Sequence, residues 1–153
     1  MKYCYLLISS LLLFLNPVKS QDVPFKRKAT IESFINAVFR DNKSPQFIME
    51  NYMYLPLNDT ISSKKIEEFN SNLIDALKKK HSGGVSSSNY KIVPYGQFKG
   101  EKKLFSGSSQ DIVILTVQNK PAIYFYFYED KISSFTLMEK GKYGYFIMLS
   151  LPS

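Results

Sequence analysis

Cysteine is almost missing from this 153-residue chain: its one copy, Cys4, falls within the first twenty positions. Beyond that stretch, disulfide staples, thiolate metal sites and cysteine nucleophiles are excluded, so stability has to come from apolar packing. Tryptophan is absent and histidine occurs once, as His81. Histidine is the commonest general base and a frequent metal ligand, and no spacing of His, Asp and Glu forms a ligand set, so neither a metal nor another cofactor is expected. Arginine is scarce too, with Arg27 and Arg40 the only two among twenty basic residues. The formal net charge is +7, but without the bidentate arginine fork nucleic acid is not an expected partner. The lysines serve solvation first, with a mild preference for anionic surfaces.

The one long apolar run is residues 5–15. Lys2 precedes it, and Asn16, Pro17, Val18, Lys19 and Ser20 follow as a polar, helix-breaking exit, with Val18 and Ser20 at the minus-three and minus-one positions of a cut before Gln21. Residues 1–20 therefore read as a signal peptide. The run is broken by Ser9 and Ser10 and falls short of the roughly 20 residues that cross a bilayer. A secreted or periplasmic chain with no stable membrane span is expected, with a lead-in at 21–28 and one domain over 29–153.

Helical periodicity fills the first half. Thr30 offers a cap for a helix burying Ile31, Phe34, Ile35, Val38 and Phe39. Ser44 and Pro45 start a second helix to about Met53, with Phe47, Ile48 and Tyr52 inward. Ser62 or Ser63 starts a third, striped by Ile66, Phe69, Leu73, Ala76 and Leu77. Lys78, Lys79, Lys80 and His81 close it, complementing the helix dipole, before Gly83 and Gly84 turn the chain away.

From Tyr90 the period becomes alternating. Residues 92–98 form a first strand, kept to an edge by Pro94 and Gly96, and 111–118 and 121–128 form the strongest two. Turns at Asn119-Lys120, Glu129-Asp130 and Lys140-Gly141 predict a register in which Phe127 faces Ile132, Phe125 faces Ser134, Tyr126 faces Ser133 and Tyr124 faces Phe135. The next hairpin sets Thr136 beside Tyr145 and Phe135 beside Phe146. One face then carries Ile112, Ile114, Ile123, Phe125, Phe127, Ile132, Ile147 and Leu149 as a seat for the helices. The other carries Val113, Leu115, Val117, Tyr124, Tyr126, Tyr128, Phe135, Leu137, Phe146 and Met148, too apolar to lie open to water.

The fold class expected is α+β, with three N-terminal helices on one face of a curved antiparallel sheet of about five strands. This order, an amphipathic opening helix, a short second helix, a longer third and a terminal antiparallel meander, resembles the NTF2-like, cone-shaped superfamily over residues 29–150. The resemblance implies a small-molecule binder, a non-catalytic accessory domain, or an isomerase, dehydratase or hydrolase acting on a small hydrophobic substrate. An enzyme of that kind would place a carboxylate or histidine inside the cone, and Glu68, Asp75 and Asp111 are the carboxylates to watch.

Motifs of chemistry are otherwise missing. His81 reads as an exposed helix-end residue, Gly96 to Lys102 lacks the spacing of a phosphate loop, and Gly107 lacks the frame of a nucleophile elbow. No catalytic residue is assigned. One constellation remains: Tyr124, Tyr126 and Tyr128, about 6 to 7 Å apart along one strand face, with Phe135 and Phe146 on neighbouring strands. Tyrosine joins stacking area to a hydroxyl, so these five residues are the candidate surface for a small molecule, a glycan, a protein partner or a second copy of the chain. The competing expectation is that a homodimer, or the chain's own termini and loops, bury them.

Overall fold

The computed structural model describes residues 22–55, 63–81, 84–85 and 89–148. The leader expected at 1–20, Ser62, Gly83 and Leu149 lie outside them. Three helices, α1 (Phe25–Ile35), α2 (Pro45–Tyr52) and α3 (Ser63–His81), precede six strands, and a π-helical turn, Asn36–Arg40, extends α1. The strands are β1 (Tyr90–Pro94), β2 (Ile112–Val117), β3 (Lys120–Tyr128), β4 (Lys131–Ser134), β5 (Leu137–Lys140) and β6 (Tyr143–Phe146). The fold is α+β: β1 to β4 form an antiparallel meander in sequence order, and β5 and β6 pair separately.

The first helix begins earlier than its cap signal suggests. It starts at Phe25 behind Pro24, inside the lead-in, and Thr30 sits within it, its hydroxyl shared between Lys26 O at 3.0 Å and Asp130 O at 3.2 Å. Thr30 thus ties the helix to the β3–β4 turn instead of starting it. Arg27, one turn earlier, does more. Its guanidinium reaches Asp111 Oδ1 at 2.8 Å and Glu129 O at 2.9 Å while lying 5.3 Å over the Phe127 ring. In α2 the expected cap is present, with Ser44 Oγ accepting from Phe47 N at 3.2 Å. Ile48 and Met49 are its buried pair, and Phe47 is left 38% exposed.

Sheet register departs from expectation at the turns. Gln118 and Asn119 both take positive φ, 51° and 61°, so the β2–β3 turn lies one residue earlier than Asn119-Lys120 and Val117 pairs with Lys120. A bulge between Leu115 and Thr116 then shifts the ladder, bringing Ile114 opposite Tyr124 and Val113 opposite Phe125. A shift of one residue exchanges the faces of a strand. Val113 and Leu115 therefore join the helix side, and Ile112 and Ile114 join the tyrosines. Phe127 does face Ile132, but a second bulge sets Tyr126, not Phe125, opposite Ser134.

The long fourth strand expected after Glu129-Asp130 is two. Ser134 Oγ donates to Ile147 O at 2.7 Å and accepts from Thr136 N at 3.3 Å, taking backbone partners that a continuing ladder would use. Phe135 and Thr136 fall in the break. The last turn centres on Gly141, at φ 59°, and Lys142, so Leu137 pairs with Phe146 and Met138 with Tyr145. Neither Thr136–Tyr145 nor Phe135–Phe146 pairs.

Two apolar cores result. In the larger, Ile31, Phe34, Ile35 and Val38 of the first helix and its π turn, Ile48 of α2 and Ile74 of α3 are packed with Leu115, Phe125, Phe127 and Ile132 of the sheet. Phe34 is at its centre, with ring centroids 5.7 Å from Phe125, 5.3 Å from Phe135 and 6.4 Å from Tyr52. The smaller core joins Tyr95, Ile112, Ile114 and Tyr124, flanked by Phe98, Phe105, Tyr126, Leu137 and Phe146. No helix among the described residues is long and apolar enough to cross a membrane.

Candidate functional site

The five aromatic residues singled out by the sequence do not form one surface. Tyr124 is 8% exposed within the smaller core. Phe105, from the loop after β1, lies 5.6 Å from Tyr124, 5.6 Å from Tyr95 and stacked 5.0 Å from Phe146, whose ring is 5.4 Å from Tyr126. Phe105 thus covers the sheet face on which Tyr124, Tyr126 and Phe146 meet. Its approach depends on Gly144, where an added Cβ would stand 3.0 Å from the Phe105 ring and 3.2 Å from Lys103 Cβ. Tyr128 lies apart, 4.6 Å from Tyr54, and Phe135 belongs to the helix-side core.

An open space lies elsewhere: a cleft of about 910 Å³ between the end of α3 and the sheet. Leu73, Ala76, Leu77, Lys80 and His81 line it from α3, five residues on one helical face whose character changes from apolar to cationic toward the helix end. Opposite stand Pro121, Ala122, Ile123 and Tyr124 of β3, then Phe135, Thr136 and Leu137 around the strand break. Lys102 and Lys103 close one side, Lys142 and Gly141 another, with Lys120 at the β2–β3 turn.

Five lysines and two glutamates, Glu101 and Glu139, line this cleft. Two of the lysines are held by backbone carbonyls or a carboxylate, and Lys142 Nζ stands 5.5 Å over the Tyr143 ring. Lys103 Nζ meets Glu139 Oε2 at 2.6 Å and Gly141 O at 3.0 Å. Lys102 Nζ donates to Tyr95 O at 2.7 Å and Phe98 O at 2.9 Å and stands 4.2 Å over the Tyr95 ring. Burial, and then Lys99, lower its pKa from the usual lysine value. Lys80, Lys120 and Lys142 form no ion pair among the described residues.

His81 is half-buried in the cleft wall, not the freely exposed cap its sequence context suggests. Burial, and then the Lys80 ammonium, push its imidazole below the usual 6.5, so the neutral ring prevails at neutral pH. Its carbonyl accepts from Gly84 N and Val85 N, both at 3.2 Å, which seats the fully buried Val85 under the helix end. A small void of about 20 Å³ adjoins the cleft, sharing Leu73, Phe135 and Thr136 with it, and is lined also by Asn70. Asn70 is 3% exposed, and its Nδ2 has no hydrogen-bond partner among the described residues.

The three carboxylates singled out by the sequence lie away from this space, whereas Glu101, Glu139 and His81 line it. Glu68 and Asp75 are exposed on α3, and Asp111 is paired with Arg27. No group of three or more metal-ligating side chains occurs among the described residues. Sequence reasoning missed the cleft lysines because Lys80, Lys120 and Lys142 come from three separate segments, and only the fold brings them to one opening. Comparison with protein-family models, with curated proteins and with solved structures gave no match.

Proposed function

We propose that the chain is an exported, non-catalytic binding domain that takes a small molecule with an apolar body into the cleft between α3 and the sheet. The observation that carries this reading is the cleft itself, about 910 Å³ with Leu73, Ala76 and Leu77 on one wall and Ile123, Phe135 and Leu137 on the other. Small-molecule sites are typically 300–1,000 Å³, mostly apolar with a few placed polar groups. The buried Asn70 amide lines a smaller void that shares Leu73, Phe135 and Thr136 with the cleft. An NTF2-like arrangement, with the helices seated on one face of a curved sheet and the ligand held between the layers, fits both element order and cleft position. Capture is our reading over turnover because Glu139 is engaged by Lys103 and Glu68, Asp75 and Asp111 do not line the cleft, which leaves Glu101 and His81 as the ionisable groups that turnover would have to use.

Titration of the purified protein with an uncharged, environment-sensitive apolar dye tests the reading. Saturable binding at one site is expected, abolished by Ala76→Trp, which fills the cleft from an exposed helix position without touching the core. Dye binding that is absent, or that survives Ala76→Trp unchanged, would overturn it.

A further inference from the structure

We infer that the molecule held in the cleft is an anionic amphiphile, an apolar chain ending in a single carboxylate, whose charged head docks among Lys80, Lys120 and Lys142. The inference rests on the binding reading above and adds the charge of the ligand. Its basis is how the cationic groups are distributed around the opening. Lys102 and Lys103 are engaged by backbone carbonyls and Glu139, so they hold the walls in place. Lys80, Lys120 and Lys142 reach the same cleft from the end of α3, the β2–β3 turn and the β5–β6 turn, and none has a carboxylate partner among the described residues.

The end of a helix carries only about half a negative charge. Lys78, Lys79 and Lys80 in the last turn exceed it, and Lys78 turns away to donate to Asn42 Oδ1 at 2.7 Å. Lys80 is therefore not consumed by the helix dipole. His81 adds a neutral ring beside it, able to donate one hydrogen bond without adding a proton.

The apolar walls decide what kind of anion fits. Leu77 and Ile123 are buried and Leu73 and Leu137 half-buried, whereas the three lysines are exposed, and an inorganic anion would leave those walls wet. A polyanion would meet the lysines at the mouth but could not follow the concave apolar surface. A carboxylate with a hydrocarbon chain satisfies both parts, its head paired at the rim and its chain removed from water.

Displacement of the uncharged dye by decanoate, by 1-decanol and by heparin separates the outcomes. Decanoate is expected to bind about tenfold or more tighter than decanol, an advantage that shrinks as salt rises to about 0.5 M. Lys80→Gln, Lys120→Gln and Lys142→Gln should each weaken decanoate by roughly three- to tenfold and leave decanol unchanged. Circular dichroism on each variant confirms folding, since all three side chains are exposed. Equal affinity for decanol and decanoate would overturn the inference while leaving the cleft reading in place. Displacement by heparin but not by decanoate would overturn it in favour of polymer recognition. Failure of the dye to bind at all would remove both.

Discussion

Tyr95 and Tyr124 hold Lys103 from opposite sides: the Tyr95 hydroxyl donates to the Lys103 carbonyl at 3.0 Å, and the Lys103 N–H donates to the Tyr124 hydroxyl at 3.0 Å. Lys103 in turn reaches the β5–β6 hairpin through Glu139 and Gly141. One residue thus joins the loop after β1, the main sheet and the hairpin. Of the three tyrosine hydroxyls that looked available for a partner, that of Tyr124 is engaged in closing the fold, and the same closure forms one wall of the cleft.

Tyr124→Phe should therefore destabilise the protein by about 1–2 kcal/mol, because it leaves the Lys103 N–H unpaired in a partly buried site. Tyr95→Phe should cost less, since a carbonyl is more easily met by water. The double variant should cost less than the sum of the two, because both bonds hold the same residue. Chemical denaturation of the four proteins gives the cycle, and strict additivity would show that the two hydroxyls act independently.

Phe34 is the next test, at the point where α1, α2 and the sheet meet. It is fully buried, with Phe125, Phe135 and Tyr52 around it. Phe34→Ala should cost about 3–5 kcal/mol through lost burial and the cavity left behind. Phe34→Leu, which keeps most of the volume, should cost clearly less. Thermal unfolding distinguishes them, and equal losses would mean that the edge-to-face geometry matters more than the filled space.

What could be read from the sequence follows from how local each signal is. Ser44-Pro45 gives the start of α2 because a cap and an N1 proline act within four residues. Glu129-Asp130 gives the β3–β4 turn for the same reason, with Glu129 at φ 53°. The faces of β2 were not legible, because the bulge at Leu115/Thr116 exchanges them and nothing in that residue pair marks it, whereas moving the turn to Gln118-Asn119 leaves the faces unchanged. The aromatic face was legible as apolar, but not the residue that covers it: Phe105 lies in a loop whose path is fixed by Leu104 pairing with Tyr143 and by the space at Gly144. The cleft is the least local feature of all, since its walls come from α3, β3, a loop and a hairpin.

Arg27 tests whether a side chain at the far end of the sheet is needed to seat α1. Its side chain is 14% exposed, bound to Asp111 and Glu129 and stacked over Phe127. Lysine there would keep the charge but lose the planar fork and much of the stacking, so Arg27→Lys should cost about 1–2 kcal/mol. Adding Asp111→Asn to that variant should cost little more, because the ion pair is already weakened. A full second loss in denaturation would show that Asp111 acts through some other contact.

His81 gives the pH prediction, and as the one histidine of the chain its signal is unambiguous. In the folded protein its pKa lies below 6.5, from burial first and from Lys80 second. The unfolded chain then takes up the proton first as pH falls through 6.5, so stability decreases below that value and levels off once the folded ring is protonated too. Lys102, Lys103, Lys120 and Lys142 share its cleft and oppose the added charge, while Glu101 and Glu139 favour it. Proton NMR of the imidazole should give a midpoint below 6.5 that rises in Lys80→Gln. In His81→Gln the slope of melting temperature against pH just below 6.5 should flatten. A midpoint at or above 6.5 would mean that Glu101 or Glu139, and not the lysines, governs the charge at this wall.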